Sequence, residues 1–72
     1  MVTFRAVGFP QGRPTEATPV GDPYDAATVV DAGRVTAEQI GRPEPALSYR
    51  LEYMDREDLW QAAGSVWFGS QP

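Results

Sequence analysis

Four prolines lie within fourteen residues near the beginning of this chain, at positions 10, 14, 19 and 23, together with Gly12 and Gly21. Proline fixes its own φ angle and has no backbone N–H, so it interrupts helices and removes hydrogen bonds from the interior of a sheet. This density predicts a proline- and glycine-rich loop over residues 10–23. Regular structure is therefore expected before and after this segment.

The chain has 72 residues and contains neither cysteine nor histidine. A domain of this size is close to the smallest that one hydrophobic core can support, and many such domains depend on a disulfide, a metal or a partner subunit. Disulfides and zinc sites built from cysteine and histidine are excluded here. We therefore expect a single small domain over residues 1–72 without a metal site, which packs well alone or is completed by another protein chain.

Ten acidic residues outnumber six basic residues, which gives a formal net charge of −4. Proteins that bind nucleic acids or anionic membranes need clustered basic side chains, and the six arginines here are dispersed along the sequence. The longest apolar run is residues 66–68, so no membrane-spanning helix is expected. We predict no nucleic-acid partner and no membrane partner. The absence of cysteine and of a visible signal peptide favours a cytoplasmic location.

Lysine and asparagine are absent from the chain, and isoleucine occurs once, at Ile40. These three residue types use AT-rich codons, whereas alanine, arginine, glycine and proline use GC-rich codons. The composition therefore indicates a bacterium with a GC-rich genome, or a phage that infects one.

The sequence offers few groups that could carry catalysis. Without histidine, cysteine or lysine there is no imidazole base, no thiolate and no Schiff-base lysine, and no nucleotide-binding glycine motif is present. The main concentration of ionisable groups is an acidic cluster formed by Glu52, Asp55, Glu57 and Asp58. Arg50 and Arg56 stand among these acids, so we interpret the cluster as a solvated turn with surface ion pairs. We predict that the protein is not an enzyme, has no catalytic residues and needs no cofactor.

Hydrophobic periodicity predicts three strands. Residues 2–9 are rich in β-branched and aromatic side chains, and residues 46–54 alternate between apolar and polar positions. A polar turn at residues 55–58 leads to a third strand over residues 59–69. The alternative for the first part of that segment is a short helix that ends at Gly64.

The segment over residues 22–41 has two interpretations. Asp22 followed by Pro23 is typical of a helix start, and Gly41 is typical of a helix end. At 100° per residue the apolar side chains form one stripe, which consists of Ala26, Val29, Val30, Gly33, Ala37 and Ile40. The alternative is a β-hairpin over residues 28–36 that turns at Ala32 and Gly33, because β-branched residues and an internal glycine disfavour a helix. The capping signals and the stripe favour the helix.

These elements predict an α+β protein with the order β–α–β–β, a small two-layer fold in which a three-stranded sheet carries one helix on one face. If residues 24–40 formed a hairpin instead, the fold would be an all-β small barrel or a stack of hairpins. The expected core consists of Phe4, Ala6, Val29, Val30, Ala37, Ile40, Leu47, Leu51, Val66 and Phe68. One face of the sheet is left bare in this arrangement.

Aromatic residues are concentrated in the last two predicted strands, where cross-strand pairing would bring them together. Tyrosine and tryptophan are enriched in protein interfaces because they bury a large area and retain a polar group. The candidate binding residues are Tyr49, Tyr53, Trp60 and Trp67. The two tryptophans are seven residues apart, so a regular strand places them on opposite faces and leaves one of them off the helix-covered face.

We therefore predict a small non-catalytic accessory protein that binds another protein, or itself as a homo-oligomer, through this aromatic hairpin. Two other functions agree with the sequence. One is an oligomer that holds a planar small molecule between its aromatic side chains. The other is an inhibitor whose acidic surface mimics nucleic acid, which requires the acids to lie on one continuous surface.

Overall fold

One helix packs on a four-stranded antiparallel sheet in the computed structural model, which describes the backbone of residues 1–68 and the side chains of residues 1–63. The elements are β1 (Val2–Pro10), a 3₁₀ turn (Pro14–Glu16), β2 (Thr18–Ala26), α1 (Val29–Ile40), β3 (Leu47–Met54) and β4 (Trp60–Phe68). The strands lie side by side in the order β2-β1-β3-β4. The predicted α+β class with one helix is confirmed, but the sheet has four strands instead of three. Within the described residues, no helix is long and apolar enough to cross a membrane.

The fourth strand comes from the segment that the sequence predicts as a loop. β2 begins at Thr18 and pairs with β1 along most of its length, although it contains Pro19 and Pro23. It lies at the edge of the sheet and needs hydrogen bonds on one side only, which is where prolines are tolerated in strands. The pairing shifts register opposite Arg5, and the shifted segment contains Pro23 and Gly21, whose φ is +72°. The loop prediction for residues 10–23 is therefore wrong for its second half.

The helix is shorter than predicted because its N-cap is Thr28 and not Asp22. The Thr28 hydroxyl oxygen accepts the backbone N–H of Asp31 at 3.1 Å. At the other end Gly41 has a φ of +63° and donates its N–H to the carbonyl of Ala37 at 3.0 Å, as the sequence predicts for the helix stop. The alternative hairpin that turns at Ala32 and Gly33 is wrong, since both residues lie inside α1.

Replacing Thr28 by alanine is expected to lower the free energy of unfolding by about 1 kcal/mol, because the Asp31 N–H loses its acceptor. Urea unfolding followed by circular dichroism measures this loss. Thr15→Ala is the matched control, since Thr15 is exposed in the 3₁₀ turn and should be neutral. Equal stabilities of the two variants would contradict the assignment of Thr28 as the cap.

The helix is rotated relative to the expectation from its apolar stripe. Its buried residues are Ala32 and Thr36, whereas Val29 and Val30 are 52% and 75% exposed and Ala37 is also exposed. The buried side is fixed by Tyr24 of β2, whose hydroxyl donates to the Ala32 carbonyl at 2.6 Å and hydrogen-bonds the Thr36 hydroxyl. Three residues of the stripe, Val29, Val30 and Ala37, are therefore left exposed.

A second polar contact holds the helix in this orientation. The Gln39 side-chain amide donates to the Asp22 carbonyl of β2 at 2.9 Å. Together with the Tyr24 contacts, this bond ties both the middle and the C-terminal turn of α1 to the edge strand.

The core under the helix is formed by Phe4, Ala26, Ala32 and Leu51, with Tyr24, Tyr53 and Ala63 packed against it. Of the predicted core residues, Phe4, Ala6 and Leu51 are buried as expected. Leu47 and Ile40 are only half-buried, and the prediction is wrong for the exposed residues Val29, Val30 and Ala37. The side chains of Val66 and Phe68 lie outside the described residues.

Candidate functional site

Tyr49, the first of the predicted binding residues, is an internal residue with 3% of its surface exposed. Its ring lies against Gly8 of the neighbouring strand, where a Cβ atom would be only 3.2 Å from the ring. Its hydroxyl accepts the backbone N–H of Glu44 at 2.9 Å. Tyr49 thus fixes the chain that leads into β3, and little of it is available to a ligand.

The other three predicted residues do not share one face of the sheet. Tyr53 is half-buried on the helix side, where it packs against the core. Trp60 lies opposite Met54, on the other face, and is also half-buried. The backbone of Trp67 lies opposite Tyr49, and its side chain is outside the described residues. The β3–β4 hairpin therefore places Tyr53 and Trp60 on opposite faces of the sheet, so these two side chains do not form one binding surface.

An open apolar cleft of about 290 Å³ lies on the helix side of the sheet. α1 packs mainly on β2 and β1 and less on β3, and the cleft lies open beside the first turn of the helix. Its walls are contributed by both central strands, the edge strand β4 and the first turn of the helix, and the lining residues are Val2, Phe4, Val29, Tyr53, Ala62 and Ala63. None of these residues is charged.

Two further exposed hydrophobic residues, Met1 and Val30, are next in the sequence to Val2 and Val29, which line this cleft. Met1, Val2, Val29 and Val30 are among the large apolar residues with the greatest exposure, and two of them also line the cleft. We call the cleft together with Met1 and Val30 the apolar surface. Exposed apolar side chains grouped around a cleft are typical of interaction sites.

The opposite face of the sheet carries an ion-pair network that the sequence does not reveal. Glu52 of β3 is 5% exposed and lies between two partly exposed arginines. Its Oε1 accepts from Arg5 Nε at 2.9 Å and lies 2.8 Å from Arg5 Nη2, while its Oε2 accepts from Arg50 Nε at 2.9 Å. We call these three residues the arginine–glutamate cluster. The interpretation of Glu52 as part of a solvated turn is wrong, because β1 pairs with β3 and places Arg5 directly opposite it.

Aromatic rings flank this cluster on both sides. The Arg5 guanidinium carbon lies 4.3 Å from the centre of the Trp60 ring, and that of Arg50 lies 5.4 Å from the centre of the Phe9 ring. Both distances are within the range of cation–π attraction. Arg50 also pairs across the strands with Val7, which is fully buried. Arg5 and Arg50 thus each combine an ion pair to Glu52 with a contact to an aromatic ring.

The remaining acids of the predicted cluster belong to the β3–β4 turn. Asp55 accepts the backbone N–H groups of Leu59 at 3.0 Å and Glu57 at 2.8 Å, and the Gln61 amide at 2.9 Å. The hydrogen bond from Leu59, followed by those from Gln61 and Glu57, lowers the pKa of Asp55 below its usual value. Asp55 therefore has a structural use as the ionised acceptor that closes the turn. In the part of the chain that the structure describes, no group of acidic side chains is arranged to hold a metal ion.

Comparison with protein-family models, with curated proteins and with solved structures finds no match to this chain. Among the described residues, the apolar surface and the arginine–glutamate cluster are the two features that indicate a function.

Proposed function

We propose that this protein is a small non-catalytic interaction protein that associates with a second copy of itself through the apolar surface. The observation that carries the proposal is the exposure of Val29 and Val30, which belong to the apolar stripe of an amphipathic helix. Such a stripe is normally buried, and the single chain leaves these two valines exposed. A second chain that packs on this side supplies the missing layer.

The shape of the apolar surface supports a second copy as the occupant. A two-fold symmetric interface uses the same patch on both subunits, so the patch has to contain both a projecting part and a receiving part. Val30, which is exposed on the helix, is the projecting part, and the cleft beside Val29 is the part that receives it from the other copy. In addition, a Cβ atom at Gly33 would meet nothing within 4 Å, so another helix has room to approach the backbone there.

Charges at the border of this surface are compatible with two antiparallel helices. Asp31 and Arg34 form an exposed pair at 3.9 Å within one helix, which is a weak interaction. Antiparallel packing of two copies of α1 brings Asp31 of each copy towards Arg34 of the other. The pair can then be exchanged across the interface without leaving a charge unpaired.

The other two functions that agree with the sequence receive less support. The cleft of about 290 Å³ is at the lower limit of the roughly 300–1,000 Å³ typical of small-molecule sites. Mimicry of nucleic acid requires a continuous acidic surface, whereas exposed acids here alternate with arginines, as in the pairs Arg13–Glu16 and Asp31–Arg34.

Light scattering coupled to size-exclusion chromatography tests the dimer. The wild-type chain of 7.9 kDa is expected to elute with about twice that mass, and Val30→Asp with the mass of one chain. An aspartate in the first helical turn is favoured by the helix dipole, so this change should not destabilise the fold of the single chain.

Ala46→Asp is the matched control for this experiment, because it adds the same charge at an exposed position before β3, beside Gln11. Ala46→Asp should remain a dimer. A wild-type protein that has the mass of one chain at millimolar concentration would overturn the proposal, and so would a Val30→Asp variant that remains dimeric.

A further inference from the structure

The arginine–glutamate cluster carries more positive charge than its buried carboxylate requires. Two guanidinium groups face one carboxylate, so the cluster has a net charge of +1 although the whole chain has −4. Arg5 alone directs two nitrogen atoms at Glu52 Oε1, which is enough to neutralise a buried acid. Arg50 supplies the hydrogen bond to the other carboxylate oxygen, Oε2, but its charge exceeds what one carboxylate neutralises.

Arg50 contacts Glu52 through Nε and not through the two terminal amino groups of its guanidinium. A guanidinium group has five N–H donors, and its two terminal amino groups form the planar fork that grips carboxylate and phosphate. Arg50 engages Glu52 through Nε, and no described residue accepts from its terminal amino groups. Arg5 likewise directs Nε and Nη2 at Glu52, which leaves Nη1 without an acceptor among the described side chains.

The surroundings hold these donors in place and strengthen their interaction with an anion. Glu52 holds both guanidinium groups by hydrogen bonds, and the rings of Trp60 and Phe9 contact Arg5 and Arg50. Both arginines are partly withdrawn from water, where a hydrogen bond between charged groups is stronger than at a fully exposed position. We infer that the arginine–glutamate cluster binds one oxyanion, the carboxylate or phosphate group of a small ligand, through the terminal amino groups of Arg50 and Arg5.

The charge of the rest of the chain limits the ligand to a small anion. Outside the cluster four arginines face nine acidic residues, so a polyanion that extends beyond the cluster meets a surface with an excess of negative charge. A single carboxylate or phosphate group meets only the local positive charge. This inference concerns the face of the sheet opposite the apolar surface and does not depend on self-association.

Titration with sodium benzoate and, separately, with inorganic phosphate at constant ionic strength tests the site. In a Trp67→Phe background the only tryptophan is Trp60, whose fluorescence reports on the Arg5 guanidinium above its ring. We expect a saturable change in fluorescence with at least one of the two anions. Tighter binding of benzoate assigns a carboxylate ligand, and tighter binding of phosphate assigns a phosphoryl ligand.

Variants of Arg50 separate a built site from general attraction of anions. Arg50→Gln is expected to weaken binding at least tenfold, and Arg50→Lys, which keeps the charge but loses the planar fork, should also bind more weakly than the parent. Arg42→Gln removes an exposed arginine outside the cluster and should leave binding unchanged. The inference is overturned if neither anion gives a saturable change, or if Arg50→Lys and Arg42→Gln both bind as the parent does.

Discussion

Replacement of Glu52 by glutamine is expected to lower the free energy of unfolding by about 2–3 kcal/mol. Glutamine has nearly the same shape, but without the carboxylate the two guanidinium groups of Arg5 and Arg50 lose their common counter-ion and repel each other. Breaking a fully buried ion pair costs about 3–5 kcal/mol, and the partial exposure of both arginines reduces this figure. Chemical denaturation with urea, followed by tryptophan fluorescence, measures the difference.

Glu57→Gln is the matched control for this experiment, because Glu57 is an exposed acid in the β3–β4 turn whose side chain makes no ion pair with a described residue. This variant should remain within about 0.5 kcal/mol of the wild type. If Glu52→Gln were as stable as Glu57→Gln, the network would contribute no more than ordinary surface ion pairs. Repeating the measurement in high salt distinguishes the two cases further, since a buried network is screened little by salt.

The strands that alternate regularly are the part of the fold that the sequence predicts well. The predicted strand over residues 46–54 corresponds to β3, and the one over residues 2–9 corresponds to β1. Both are central strands, and their alternation of apolar and polar residues predicts them although side chains on both faces are buried, as Ala6 and Val7 are in β1. The turn at residues 55–58 is also predicted, because its polar residues interrupt this pattern.

β2 could not be predicted from its own residues. An edge strand makes hydrogen bonds on one side and buries little, and the burial of β2 is confined to Ala26, with Val20 and Tyr24 half-buried. Its alternation is therefore weak, and its prolines are a stronger local signal than its pairing with β1. Recognising it requires the knowledge that a neighbouring strand is available, which is not a local property of the sequence.

The orientation of α1 also could not be predicted from the residues of the helix alone. The apolar stripe predicts that Val29 and Val30 face the sheet, whereas the Tyr24 hydroxyl fixes Ala32 and Thr36 there instead. A stripe indicates that a helix face will be buried, but it does not say by which surface. The exposed valines are therefore consistent with the proposed second copy.

The candidate sites were only partly predictable. The sequence indicates the aromatic hairpin, yet the period of two separates Tyr53 from Trp60 and buries Tyr49. The arginine–glutamate cluster joins residues 47 positions apart, because Arg5 of β1 lies opposite Glu52 of β3. Nothing in the local sequence of either strand indicates this pairing.

Replacement of Leu51 by alanine is expected to have the largest effect on stability, a loss of about 2–5 kcal/mol. Leu51 is 1% exposed in the middle of β3, where it belongs to the core with Phe4, Ala26 and Ala32. Its strand neighbour across β1 is Ala6, which is too small to fill the cavity that the substitution leaves. For a chain of this length the total stability is of the order of 4–11 kcal/mol, so the variant is expected to be partly unfolded at 37 °C.

Leu59→Ala makes the same chemical change at a residue that is 53% exposed, and it should cost less than about 1 kcal/mol. Thermal unfolding of both variants at one protein concentration measures the difference, with about 4–8 °C expected for each kcal/mol in a domain of this size. The concentration has to be fixed because self-association stabilises the folded chain by mass action. Similar melting temperatures for the two variants would contradict the location of the core between α1 and the central strands. A melting temperature of the wild type that rises with protein concentration is expected if the apolar surface is covered by a second copy.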